Sequence, residues 1–246
     1  MANKSQKVAF ITGGNRGIGL QTARELGELG ITVVIGARDL AQGQKAARNL
    51  AEFGITAEAI RYDSADPSTD TAARAYFEQK HGRLDILVNN AGAAKEELLA
   101  KDARSVSQDT LRDTFEINFF AVVRLTQTLL PLLEKSEAGR IVNVSSILGS
   151  LTLHAAENSP IAPAKPLAYN ASKSALNAFT VHLADELRGS KMKVNSAHPG
   201  WVKTELGGEH APMEIADSAK TSVTLATLGA DGPSGGFFHA GEALPW

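Results

Sequence analysis

A tyrosine and a lysine four residues apart, in Tyr169-Asn170-Ala171-Ser172-Lys173, are the pair in this chain best suited to chemistry. On a helix the two share a face, one turn apart. A free tyrosine, with a pKa of ~10, is a poor base near neutrality. A lysine cation beside it stabilises the phenolate and lowers that value. Taken alone, the spacing also fits a surface pair on any helix.

A second group of residues lies near the other end of the chain. Thr12-Gly13-Gly14-Asn15-Arg16-Gly17-Ile18-Gly19 stands between an apolar run, Val8 to Thr12, and a helical stripe of Leu20, Ala23, Leu26 and Leu29. Glycines let a backbone turn sharply and approach a pyrophosphate, whose charge is met by N–H groups at the helix start. A tight turn with glycines for steric reasons alone is the plainer alternative. The strand–turn–helix setting favours the dinucleotide reading.

Which dinucleotide is bound depends on the end of the second strand, Ile35-Gly36-Ala37-Arg38-Asp39. An acidic residue there would bond the ribose hydroxyls and repel a 2′-phosphate. Ala37 stands at that place, Arg38 follows, and Arg16 adds a second cation from the glycine turn. Two guanidinium groups can grip a phosphate dianion, so NADP(H) is the expected cofactor. In the competing account Arg38 caps the strand end and pairs with Asp39. A shift of one residue along a strand turns Asp39 away from the ribose.

The elements that must position these groups show in the alternation of short β-branched runs with helical stretches. Val8 to Thr12, Ile31 to Ile35, Ile55 to Tyr62, Leu84 to Val88, Ile141 to Val144 and Val194 to Ala197 read as strands. Gly17 to Leu29, Leu40 to Phe53, Thr69 to His81 and Ala168 to Arg188 read as helices. Such alternation predicts an α/β fold: one Rossmann-type, doubly wound domain over residues 1–246, with a mostly parallel seven-stranded sheet and helices on both faces. Two segments interrupt the pattern. Residues 149–166, with three prolines, predict an irregular excursion, and residues 203–220 a polar, lid-like segment; both would lie near the substrate. Phe237 and Phe238 are expected to pack a last edge strand, and Trp246 to cover apolar surface or a subunit contact.

Composition narrows the classes. A chain of 246 residues that is 43% apolar can bury a sizeable core. A net charge of −2 with scattered Lys and Arg gives no footing for nucleic acid or an anionic membrane. Without cysteine there are no disulfides or thiolate chemistry, and the six histidines lack ligand spacing, so no metal site is expected. Met1 to Lys7 is polar, no apolar stretch nears the ~20 residues of a membrane span, and a cytoplasmic protein is expected.

The motifs TGxxxGxG at 12–19, NNAG at 89–92 and YxxxK at 169–173, with the His198-Pro199-Gly200 segment, span most of the chain in the order of the short-chain dehydrogenase/reductase family, which this sequence resembles. The phrases GARD, INFF, NVSS and PGWVKT look most like its NADPH-dependent carbonyl reductases. The resemblance implies that Gly13, Asn15, Arg16, Gly17, Ile18 and Gly19 line the cofactor, with Ile18 beside the nicotinamide half. Arg38 would face the 2′-phosphate and Asp63 the adenine, though an Asp near a helix start is also ordinary. Asn90 and Gly92 would sit near the adenosine ribose, Asn90 partly as a brace. Pro199, Gly200, the Val202 backbone and the Thr204 hydroxyl would hold the carboxamide.

On the same resemblance Ser146, rather than Ser145, bonds the substrate oxygen. Tyr169 is the general acid/base, Lys173 orients the nicotinamide ribose, and Asn118 holds a water that links Lys173 to solvent. A buried amide such as Asn118 is costly unless bonded, and a satisfied core amide is its other reading. The implied activity is NADPH-dependent reduction of a ketone or aldehyde, reversible, with transfer of the pro-S hydride. A 3-oxoacyl-carrier-protein reductase, a sugar-alcohol dehydrogenase and a non-catalytic NADP sensor remain alternatives. Ser146 and Tyr169 are 23 positions apart, farther than in many relatives. The extra length, 149–166, leaves monomer or homo-oligomer undecided and makes Leu148, Leu151, Leu153 and His154 candidates for the pocket.

Overall fold

Every residue of Val8–Thr12 is buried, and the run forms the first strand, β1. Its alternate side chains enter opposite layers. Ala9 and Ile11 join one apolar cluster and Val8 and Phe10 the other, as a strand covered on both faces requires. The computed structural model describes residues 6–246, so residues 1–5 of the polar Met1 to Lys7 segment lie outside the described residues.

After β1 come α1 (Gly17–Glu28), β2 (Thr32–Ala37), α2 (Leu40–Ala51), β3 (Ala57–Arg61), α3 (Ser68–Lys80) and β4 (Ile86–Asn89). The second half runs α4 (Gln108–Phe115), α5 (Ala121–Leu133), β5 (Arg140–Val144), α6 (Leu151–Ala155), α7 (Leu167–Glu186), β6 (Lys193–Ala197), α8 (Lys220–Ala226), β7 (Phe237–His239) and β8 (Glu242–Ala243). The sheet order is β3-β2-β1-β4-β5-β6-β7-β8. All pairs are parallel except β7 with β8. Helices α1, α2 and α8 cover one face, while α3, α5 and α7 cover the other. Strand order reverses between β1 and β4, and a cleft outside the carboxyl ends of these strands is where such sheets bind ligands.

Two expectations need correction. The sheet has eight strands, not seven, because the chain turns back after β7 through Ala240 and Gly241, both at positive φ. That two-residue turn suits a hairpin, and so the short β8 is added. The 149–166 excursion is also less irregular than expected. A turn of 3-10 helix at Ile147–Gly149 leads into α6, whose start is capped by Ser150 Oγ accepting from Leu153 N at 3.1 Å. At the C-terminus Trp246 stacks on Phe237, with centroids 5.6 Å apart. It thereby covers apolar surface of its own chain.

Candidate active site

Thr12 ends β1 at the switch point, and its hydroxyl accepts from the backbone N–H groups of Asn90 and Ala91, each at 3.0 Å. Asn90 Nδ2 donates back to the carbonyls of Thr12 at 2.8 Å and Gly13 at 3.3 Å. The side chain of Asn90 is therefore a brace that locks the NNAG turn to the glycine turn. Gly13 and Gly17 have φ of 63° and 54°, which only glycine adopts without strain. A Cβ at Gly19 would lie 2.5 Å from both Asn90 Nδ2 and Gly13 O.

Helix α1 opens onto this turn with no side-chain cap and no acidic residue in its first turn. Its free N–H groups and the positive end of its dipole therefore suit a pyrophosphate. The residues present fit a dinucleotide.

Arg38 and Asp63 line the same cleft. Asp39 is spent as the cap of α2, accepting from Ala41 N at 2.8 Å and Gln42 N at 3.3 Å. Among the described residues no ion pair joins Arg38 to Asp39, so the guanidinium is not drawn away from the cleft. Arg16 is paired across the cleft with Glu205. Asp63 holds its own turn, accepting from Ala65 N at 3.1 Å.

At the other end Ser146, Tyr169 and Lys173 come together. Tyr169 and Lys173 lie on α7, buried among its neighbours, with Lys173 Nζ 5.7 Å from the Tyr169 ring centre. Ser146 lines the same cleft beside Tyr169, its Oγ accepting from Leu148 N at 3.2 Å. Lys173 Nζ donates to Val144 O at 2.8 Å, and a Cβ at Gly92 would sit 3.5 Å from that ammonium. The sequence pointed to a phenol brought down in pKa by the lysine. The protein's own groups act the other way. Burial pushes Tyr169 up to about 12, against the neighbouring Ser146 hydroxyl, and burial brings Lys173 down to about 8. A neutral phenol is poised to give a proton. His198, also on the cleft, is brought down to about 3 by burial and by His239 and stays neutral.

Gly13, Asn15, Arg16, Gly17, Ile18, Gly19, Asn90, Gly92, Pro199, Gly200, Val202 and Thr204 line this one cleft of about 1740 Å³ together with Arg38, Asp63, Ser146, Tyr169 and Lys173. Asn118 does not reach it. It lies beneath, in a π-helical turn (Glu116–Phe120) between α4 and α5. Its Oδ1 accepts from Ala93 N at 2.8 Å, and its Nδ2 donates to Ala93 O at 2.8 Å and Ser172 Oγ at 3.0 Å. Its amide thus has partners at both ends, and Ser172 passes the brace on to Tyr169 O at 2.7 Å. The Thr204 hydroxyl accepts from Gly207 N at 3.0 Å and donates to Val202 O at 3.4 Å.

Of the four pocket candidates in the excursion only Leu148 lines the cleft; Pro160, Ile161, Pro163 and Ala164 take the places expected for the others. His154 is instead the excursion's anchor, bonded to Leu148 O at 2.9 Å and Lys165 Nζ at 2.7 Å. Leu98, Leu99, Trp201, Leu206 and Ile215 complete an apolar mouth. Two further residues, Glu96 and Asp102, bind the first N–H groups of α7. Pro166 at the cap position was the signal that a remote acceptor was needed.

Residues 7–215 match the family model described as short chain dehydrogenase. The chain belongs to the short chain dehydrogenase family. This dehydrogenase is 31% identical to salutaridine reductase of Papaver bracteatum over 96% of the chain and 95% of that protein. It is 30% identical to "Carbonyl reductase [NADPH] 1" of Mus musculus over 99% of the chain and 100% of that protein. Among solved structures, the carbonyl reductase Sniffer of D. melanogaster superposes with a TM-score of 0.83 at 30% identity, over 98% of this chain and 99% of that one. The dehydrogenase is therefore an oxidoreductase of the class that works with a nicotinamide cofactor. Among its described residues no helix is long and apolar enough to cross a membrane, and no three His, Asp or Glu side chains converge as metal ligands.

Proposed function

We propose that this protein is a carbonyl reductase that uses NADPH to convert a ketone or aldehyde to an alcohol, in one domain that holds both cofactor and substrate. The observation that carries the proposal is the buried phenol of Tyr169, beside Ser146 and one helical turn from Lys173, at the end of a cleft that begins at the glycine turn. Two relatives point the same way: the mouse protein is named for NADPH, and a carbonyl reductase from chicken fatty liver was solved with NADPH bound.

In this reading the α1 N-terminus holds the pyrophosphate, and Arg38 with Arg16 holds the 2′-phosphate. Asp63 faces the adenine, while Val202 and Thr204 hold the carboxamide. When bound, NADPH supplies the hydride. Ser146 and Tyr169 fix the carbonyl oxygen by two hydrogen bonds, and Tyr169 gives its proton to that oxygen as negative charge develops on it. Lys173, held at Val144 O, orients the ribose. Asn118 serves from below by fixing Ala93 and Ser172.

The test is loss of NADPH absorbance over a panel of ketones, aldehydes and quinones, with Tyr169→Phe alongside. Consumption should fall by about 10²–10⁴-fold in the variant, the usual worth of a positioned general acid. NADPH binding without turnover across the panel would favour a sensor. Equal rates with NADH would overturn the roles given to Arg16 and Arg38.

A further inference from the structure

Helix α7 starts directly after Pro166, whose side chain offers no acceptor. The first N–H groups of a helix need partners, and here a loop that lies far away in sequence supplies them. Asp102 Oδ1 accepts from Leu167 N at 3.0 Å, Glu96 Oε1 from Ala168 N at 2.9 Å and Glu96 Oε2 from Tyr169 N at 2.9 Å. Both residues belong to the segment between β4 and α4. That segment is tied down once more by Lys165 N donating to Ala100 O at 2.9 Å, and it sends Leu98 and Leu99 into the mouth.

Glu96 thus gives both carboxyl oxygens to peptide N–H groups of α7, and the neighbouring cation Lys165 is committed to His154, with its Nζ on His154 Nδ1 and O.

We propose that Glu96 and Asp102 form a clasp that positions Tyr169 by its own backbone N–H. They are positioning residues: neither touches substrate. The inference rests on the reading of Tyr169 as the proton donor. Because the clasp holds the peptide of the reacting residue itself, loosening it moves the phenol relative to Ser146 and the reacting carbonyl. A misplacement of about 1 Å costs on the order of 100-fold in rate.

The amide variants separate the two roles. Glu96→Gln keeps one acceptor oxygen but turns an NH₂ group towards a peptide N–H, whereas Asp102→Asn keeps the one oxygen that Leu167 N needs. Rates should be expressed per NADPH-binding site, so that misfolded protein does not count. We expect Glu96→Gln and Asp102→Ala to lower kcat by about 10–100-fold, with KM for the ketone little changed. Asp102→Asn should restore most of what Asp102→Ala loses, to within about threefold of the unaltered enzyme.

Unchanged kcat in Glu96→Gln, or a loss confined to KM, would overturn the clasp. Asp102→Asn as damaging as Asp102→Ala would overturn the acceptor role given to Asp102. If Glu96→Gln binds no NADPH, the two Asp102 variants decide. Tyr169→Phe run in parallel keeps the failures apart. Full activity there refutes the proton donor, while inactivity there with an unharmed Glu96→Gln refutes the clasp alone.

Discussion

At one end of the cleft the phosphate-binding turn is a single run of eight residues, Thr12 to Gly19, strapped by Asn90. At the other end the substrate mouth is assembled from Leu98 and Leu99, Ile147 to Ala164, and Trp201 to Ile215, three segments that meet only in the folded chain. The first is made by backbone: positive φ at Gly13 and Gly17, and N–H groups at the start of α1. The second is made by side chains on loops, and its parts are held by contacts such as His154 to Lys165 and Trp201 Nε1 to Gly207 O at 2.8 Å. A site built from backbone geometry tolerates almost no substitution. One built from apolar side chains on loops can change shape while the chemistry stays the same.

Adding a methyl group at the backbone-built end should have the largest effect. In Gly19→Ala the new Cβ would fall 2.5 Å from Gly13 O and Asn90 Nδ2, so the turn and its brace must move apart. Such overpacking costs about 1–3 kcal/mol, and here the strain falls on the groups that meet the pyrophosphate. NADPH affinity, read by fluorescence titration, should weaken by about 10–100-fold and activity should fall with it. An unaltered affinity would mean that the turn is as adaptable as the mouth, and the contrast would collapse.

Truncation at the loop-built end should be milder and of another kind. Trp201→Ala removes a ring that is 43% exposed at the mouth. The loss of its apolar contact should raise KM for bulky ketones by about 3–30-fold, roughly the worth of a partly buried ring. Small aldehydes and the affinity for NADPH should be unaffected. A matching loss of NADPH affinity would show that Trp201 serves the cofactor end.

The same contrast explains what was legible in the sequence. The glycine turn, NNAG and YxxxK are local patterns, and periodicity marked six of the strands and four helices. What was missed depends on distant contacts. Local pattern did not show that the Asn118 amide would bond Ala93 and Ser172. The prolines of the excursion suggested irregular chain, yet Ser150 caps a short helix there. Glu96 and Asp102 gave no periodic signal, since two acids in a polar loop become a helix cap only when the fold brings α7 to them. The pKa of Tyr169 is of the same kind. Its neighbour in sequence, Lys173, suggested a lowered value, while burial by residues from several elements raises it.

One contact joins the two ends and gives the smallest expected effect. Arg16, in the glycine turn, pairs with Glu205 from the segment beyond β6, and both side chains are more than two-thirds exposed. Such a pair is worth only about 0.2–1 kcal/mol, yet it puts a carboxylate on a cation that the 2′-phosphate of NADPH would also use. In Glu205→Gln that competition is removed. NADPH should bind up to about fivefold more tightly at low salt, and NADH, which lacks the phosphate, should bind as before. The difference should shrink as salt screens the exposed charges. If the change instead weakens both cofactors alike, Glu205 acts as a strut that holds the loop-built end against the backbone-built one. Arg16 would then belong to the scaffold, and Arg38 would be the cation that selects the phosphate.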